Sequence, residues 1–207
     1  MKYPRTFHIP SSPGATDDDK VLSSMDHFIG KEVIITEKLD GENTSFHQDK
    51  VHARSESLRF HPSQSYVMQL HGKVSYLIPE DIQLIGENLY AKHSIYYDQL
   101  SDFFYVTGVI DKSRNIFLSV KETLELAERL NLKFAPILFQ GTFKGNFQIP
   151  ERSAFGDHIE GYVIRLVDSF PVLEFKNSVA KWVRENHIQT DTDWRRTWIP
   201  NKLKSCH

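Results

Sequence analysis

The chain has 207 residues, with 25 Lys and Arg against 27 Asp and Glu and a formal net charge of −2. It is long enough to bury a sizeable core in one domain, and the near-neutral balance excludes a simple polyanion-coating protein. No apolar run reaches membrane-spanning length, Met1-Lys2-Tyr3-Pro4-Arg5 lacks the apolar core of a signal peptide, and the single cysteine, Cys206, has no internal disulfide partner. A reducing, cytoplasmic setting with no membrane partner is therefore expected.

In chain order, Pro4, Pro10, Pro13 and Gly14 keep residues 1–32 irregular, and Asp17-Asp18-Asp19 is read as the cap of a short helix over 20–28. Strands are expected at 33–38, 43–48 and 51–54. The spacing of Tyr66, Val67, Leu70, Val74 and Leu77 predicts a helix over 63–77. Strands follow at 82–91 and 103–111, with 115–118 ambiguous. Leu124, Leu126, Ala127 and Leu130 among charges predict a helix over 121–130, and further strands are expected at 136–139, 160–167 and 171–176. No internal repeat or linker is visible. Strands and helices without regular β-α-β alternation imply an α+β domain of mainly antiparallel sheet, residues 1–207 forming one domain.

Charge is unevenly spread. From Lys176 to His207 there are seven basic and three acidic residues, +4, which leaves −6 on the rest. Trp182, Trp194 and Trp198 lie in this stretch among Lys181, Arg184, Arg195 and Arg196, so 177–207 reads as a basic, tryptophan-containing C-terminal extension. That pattern suits a nucleic-acid strand, held by phosphate contacts and base stacking. It equally suits a tail that docks onto the domain through its indoles.

The segment Thr36-Glu37-Lys38-Leu39-Asp40-Gly41-Glu42-Asn43 closes the apolar run Val33-Ile34-Ile35. A lysine at the end of a buried strand is poorly placed as a solubiliser. Burial there lowers the ammonium pKa and favours the neutral amine, the form that attacks phosphorus. Asp-Gly permits a tight turn that would hold the amine at a cleft rim, although a plain hairpin has the same signature. Further along come Val51-His52-Ala53-Arg54-Ser55, Leu84-Ile85-Gly86-Glu87-Asn88, Phe103-Phe104-Tyr105-Val106-Thr107-Gly108-Val109, Ile159-Glu160-Gly161-Tyr162-Val163-Ile164-Arg165 and Leu173-Glu174-Phe175-Lys176-Asn177. Glu87 and Glu160 each adjoin a glycine in a strand-like context; singly, either reads as a solvated strand glutamate. Arg54 follows alternating Val51 and Ala53, which aims it from a strand face, and arginine suits bidentate phosphate binding. The ten histidines show no zinc spacing, and no Gly-x-x-x-x-Gly-Lys phosphate loop occurs.

This ordered series, spanning roughly residues 33 to 190, resembles the covalent nucleotidyltransferases, the superfamily of ATP-dependent ligases and mRNA capping enzymes, and most closely its RNA ligase branch. The resemblance implies an ATP-grasp-like nucleotidyltransferase domain, two packed sheets with flanking helices around a nucleotide cleft. It implies ATP and Mg²⁺ (or Mn²⁺) as cofactors and RNA ends as substrate, with DNA or hybrid nicks as alternatives. Lys38 would be the nucleophile, and Lys176 the catalytic cation at the α-phosphate. Glu37, Arg54, Glu87, Tyr105 and Glu160 would hold the nucleotide, Glu87 at the ribose and Glu160 at the metal. Asn43 and Lys181 would serve end joining. Two positions depart from the pattern. Thr107 stands where an aromatic usually stacks on the adenine, which leaves Tyr105 or Phe104 for that part. Glu174-Phe175-Lys176 replaces a lysine pair, leaving Lys181 as the candidate partner. A DNA ligase or capping enzyme would carry an additional C-terminal OB domain, for which the residues after Lys176 leave no room. A catalytically idle end-binding protein is the alternative of another class. The short tail also leaves substrate supply to a partner such as an end-healing kinase-phosphatase.

Overall fold

The computed structural model describes residues 1–54, 61–185 and 198–205. Among these residues twelve strands form two sheets. Strands β1 (Phe7–His8), β2 (Glu32–Glu37), β3 (Glu42–Phe46) and β4 (Val51–Ala53) precede helix α1 (Ser65–Val74); β5 (Ile82–Asn88), β6 (Phe104–Asp111) and β7 (Ile116–Phe117) precede α2 (Val120–Arg129). Then come β8 (Lys133–Phe134), β9 (Ile137–Thr142), β10 (Gly161–Leu166), β11 (Phe170–Pro171), the short α3 (Phe175–Ser178) and β12 (Val179–Val183). The first sheet runs β1-β12-β10-β2-β9 and the second β11-β7-β6-β5-β3-β4, with β8 added to β6. All pairings are antiparallel except β1 with β12 and β8 with β6.

Both faces of each sheet find cover. Val33 and Ile35 of β2 pack outward with Phe28, Phe143, Ile164 and Ala180, while Ile34 faces the space between the sheets. A strand covered on both faces reads as an unbroken apolar run, the pattern that made β2 legible. On the second sheet Phe46, Leu84, Phe104 and Val106 meet Val67 and Val74 of α1 and Leu126 and Ala127 of α2. Helix α2 begins at a capping box, with Glu122 N donating to Ser119 Oγ and Ser119 N donating to Glu122 Oε2. Between the sheets, Ile85, Ile110, Phe117 and Phe175 pack with Val179.

Three expectations need correction. No helix spans 20–28; the segment is a series of turns, and Asp19, expected as a cap, accepts from Thr16. The strand expected at 171–176 stops at Pro171 and is followed by a 3-10 turn, Val172–Glu174, and α3. The last strand is instead β12, inside the stretch read as an extension, where it lies between β1 and β10. The helix expected over 63–77 is split into a 3-10 turn at Pro62–Gln64, α1, and a second 3-10 turn at Ser75–Leu77. Among the described residues no helix is long and apolar enough to cross a membrane.

Two of the three tryptophans dock. Trp182 lies parallel to Tyr162 at 5.7 Å and donates to Ser11 O at 3.1 Å; Trp198 sits 5.6 Å from the Tyr90 ring. Trp194, Arg195 and Arg196 lie outside the described residues, as do Ser55 and Cys206. Residues 198–205 form a strap along 89–100. Its clasp is Asn201, only 2% exposed, which donates to Leu89 O at 2.8 Å and Ala91 O at 3.3 Å and accepts from Tyr97 N at 3.0 Å. Replacing it by alanine leaves buried backbone groups unpaired. Asn201→Ala is expected to lower unfolding free energy by about 2 kcal/mol in urea titrations; a change within about 0.5 kcal/mol would mean that the strap is not held there.

Candidate active site

Strand β2 belongs to the first sheet and β3 to the second, so Lys38-Leu39-Asp40-Gly41 is a crossing between sheets and not the hairpin turn that Asp-Gly suggested. The crossing is fixed on both sides. Lys38 N donates to Gly161 O at 2.9 Å. Asp40 Oδ2 accepts from Ser94 N (2.8 Å), Ser94 Oγ (2.7 Å) and Ile95 N (2.7 Å), and Asp40 N donates to Tyr97 Oη at 3.0 Å. A Cβ at Gly41 would collide with the Asn88 carbonyl and the Leu89 side chain. Close approach, rather than turn geometry, is what requires glycine here.

The crossing presents Lys38 to a cavity of about 470 Å³ between the sheets. Its Nζ donates to the Glu160 carboxylate at 2.8 Å. Glu160, 4% exposed, directly precedes β10. Burial alone would lower the Lys38 pKa, but the Glu160, Glu87 and Asp40 carboxylates outweigh it, and the net shift is upward. The neutral amine expected from burial is thus overturned: at rest Lys38 is an ammonium in an ion pair. Glu87, on β5 opposite Asn43, shows the reverse balance. Burial raises its pKa to about 8, against the opposing effect of Lys38, with Glu160 and Asp40 adding to the rise. Burial likewise raises Glu160 and Glu37. Glu37 is held by Ser153 Oγ and by Ala154 N at 2.9 Å.

Arg54, Asn43, Glu87 and Glu37 all line the cavity with Lys38, and Asn43 Oδ1 is buried without a hydrogen-bond partner. Thr107 lines it too. Four candidates are not among its lining residues: Tyr105, Phe104 and Lys176, and Glu160, which reaches it through its contact with Lys38. Tyr105 is a core residue, 1% exposed, with its ring 4.9 Å from Phe155 and its hydroxyl engaged by Ser101 and Asp102; Phe104 stacks on Phe46 at 4.5 Å on the opposite face. Neither lines the cavity. Lys176 is exposed on α3, away from it, because the chain turns after Pro171 instead of continuing as a strand. Lys181 of β12 takes the position between the sheets. Its pKa is lowered by burial and by the charge of Lys38.

Several lining residues carried no role in the sequence reading. Arg165, 6% exposed, faces the cavity two residues after Val163; it donates to Leu118 O and covers the Phe170 ring at 5.2 Å. Among the described residues no carboxylate pairs with it, and burial depresses its pKa to about 10. A basic residue at a core-facing position of a strand was the available signal. Tyr3, Arg5 and Asp19 reach the cavity from the N-terminal segment and leave no local pattern at all. In total five basic side chains and three acidic ones line the cavity. With Glu37 and Glu87 both raised, the balance suits an anionic ligand. Among the described residues no three His, Cys, Asp or Glu side chains converge as a ready metal cage.

The RNA ligase family profile matches residues 31–183. Solved structures of Naegleria gruberi RNA ligase share the fold. A variant with ATP and Mn is 17% identical with a TM-score of 0.55, covering 82% of this chain and 54% of that one. The enzyme with PPi is 20% identical, TM-score 0.57, covering 77% and 51%. A variant with AMP and Mn is 18% identical, TM-score 0.54, covering 77% and 52%. The present chain therefore spans about half the length of these structures. No curated protein matches it at the sequence level.

The raised Glu87 pKa has a consequence for stability. Unfolded, this carboxyl ionises near 4.5, and folded near 8, so between these values the folded chain holds the extra proton and stability falls as pH rises. Glu87→Gln removes that proton uptake. Its melting temperature is expected to drop less than that of the unaltered chain between about pH 4 and pH 8.5, buffers on either side of this window; equal slopes would show that Glu87 ionises normally.

Proposed function

The chain belongs to the RNA ligase family, and on that premise we propose that it is an ATP-dependent RNA ligase, sealing 5′-phosphate to 3′-hydroxyl ends through a lysyl-AMP and an adenylated-end intermediate. The observation that carries this reading is Lys38, fixed at the crossing between the two sheets, paired with Glu160 and facing a cavity lined by five basic side chains against three acidic ones.

In the first step Lys38 Nζ loses its proton and forms a bond to the α-phosphorus, while the α–β phosphoanhydride bond breaks and pyrophosphate leaves. Glu160, 2.8 Å away, is the carboxylate placed to accept that proton. The 5′-phosphate of the RNA then displaces Lys38 from the adenylyl group, and the 3′-hydroxyl attacks that phosphate with AMP as leaving group. Phosphoryl transfer of this kind is mostly positioning and charge stabilisation. Lys181 and Arg54 supply cations, Glu87 an acceptor for a ribose hydroxyl, and Asn43 a buried unpaired carbonyl oxygen. Glu160, a carboxylate beside the phosphate-facing end of Lys38, is of the oxygen-donor type that fits a divalent cation. Glu160 would hold it, completed by ligand oxygens and water, since the described residues build no cage of their own. When bound, such an ion neutralises phosphate charge.

Labelled ATP tests the reading. Lys38→Ala and Lys38→Arg are both expected to form no AMP adduct while keeping their fold, since guanidinium does not deprotonate at working pH; an adduct on Lys38→Arg would place the nucleophile elsewhere, and a GMP adduct on the unaltered chain would indicate a capping-type activity. Lys181→Ala is expected to slow adduct formation by roughly 10²-fold, as for removal of one preorganised donor, with Lys176→Ala near the unaltered rate. The opposite pattern would return the catalytic role to Lys176.

A further inference from the structure

Residues 1–30 lie outside the family match, which begins at residue 31, yet they build one wall of the cavity. Arg5 Nη2 and His8 Nε2 both stand 3.4 Å from Asp19 Oδ1, and Lys181 Nζ stands 3.8 Å from that same oxygen. The other oxygen, Oδ2, is taken by Thr16 N at 3.2 Å and Thr16 Oγ1 at 3.1 Å, so the carboxylate is anchored from its own turn. Asp19, Arg5 and Lys181 all line the cavity. Three cationic or potentially cationic groups thus converge on one oxygen, each beyond the 2.7–2.9 Å of a good charge-assisted bond. Arg5 Nη2 is also held by Asp18 O at 2.7 Å, and Asp19 keeps Arg5 and Lys181 together at distances that leave room for a closer acceptor. An acceptor with several oxygens, such as a phosphate, would complete the set.

We propose that Arg5 and Lys181, gathered by Asp19, form a phosphate subsite on the wall of the cavity, so that the N-terminal segment is part of the binding site. This rests on the RNA ligase reading, which brings phosphate in two forms: the outer phosphates of ATP and the phosphate of the RNA strand. Arg5 is half-exposed and holds no core position, so its removal spares the fold.

The test uses the full chain. ATP and AMP affinities are measured by calorimetry for the unaltered protein, Arg5→Ala and Arg5→Lys, beside sealing of a 5′-adenylated RNA strand. If the subsite holds the outer phosphates, Arg5→Ala weakens ATP by about tenfold, the worth of one charge-assisted contact, with AMP affinity unmoved and Arg5→Lys partly restoring ATP. If it holds the RNA phosphate, ATP affinity stays and sealing of the adenylated strand falls, again with partial recovery in Arg5→Lys. Unchanged ATP affinity together with unchanged sealing overturns the subsite. So does an equal loss for ATP and AMP accompanied by a lower melting temperature, the mark of a merely structural contact. Should the unaltered chain bind neither nucleotide, the ligase reading itself falls, and the subsite with it.

Discussion

Only four residues, Lys38 to Gly41, carry the chain from the end of β2 in one sheet to the start of β3 in the other. A link this short cannot meander, so the two sheets must approach each other where it passes. Everything at the site follows from that constraint. Lys38 leaves the edge of β2 pointing into the gap, Leu39 goes down into the cluster with Leu89 and Tyr97, and Gly41 slides against the Asn88 carbonyl where no side chain fits. The remaining opening between the sheets is the cavity.

Which electrostatic effect wins at each group depends on its neighbours and not on depth alone. Lys38 and Glu87 are both buried, and desolvation works against the charge of each. For Lys38 three carboxylates overcome it, and the ammonium is strengthened. For Glu87 one ammonium is set against two further carboxylates, so desolvation prevails and the proton stays to about pH 8. Lys38 is accordingly one half of an ion pair with Glu160.

Sequence reasoning recovered what local periodicity encodes. Val33-Ile34-Ile35, the core of β6 and the Leu126-Ala127-Leu130 stripe of α2 fell where their patterns placed them, within a residue or two. The order of motifs brought Lys38, Asn43, Arg54 and Glu87 to one cavity, with Glu160 behind Lys38. Lys176 lies away from the cavity because its expected placement depended on one unread turn. Leu173-Glu174-Phe175-Lys176 alternates like a strand, but the chain breaks into a 3-10 turn and α3 there, and the pattern's cavity-facing lysine reappears five residues later as Lys181. Tyr105 failed for a different reason. Alternation along β6 separates two faces but does not say where along a face the cavity lies, and the register shift that leaves Thr107 unpaired against β5 disturbs the count further. Arg5, Tyr3 and Asp19 have no local signature, because only the return of β1 alongside β12 brings them to the site.

The cavity is therefore assembled from segments far apart in the chain, and its geometry is only as firm as the contacts that join them. One such line of contacts is continuous. Asn201 of the C-terminal strap accepts from Tyr97 N; the Tyr97 hydroxyl accepts from Asp40 N; and Asp40 is seized by Ser94 and Ile95, three and two residues before Tyr97. Asp40 lies two residues from Lys38, whose backbone is pinned on its other side to Gly161 beside Glu160. The strap, the 94–97 loop and the crossing thus form one hydrogen-bonded frame in which each member fixes the next. A partly buried frame of this kind tolerates little half-measure, since a broken bond leaves a polar group with poor access to water. The aspartate of Lys-x-Asp-Gly serves this chain as the keystone of the frame, holding the position from which Lys38 reaches Glu160.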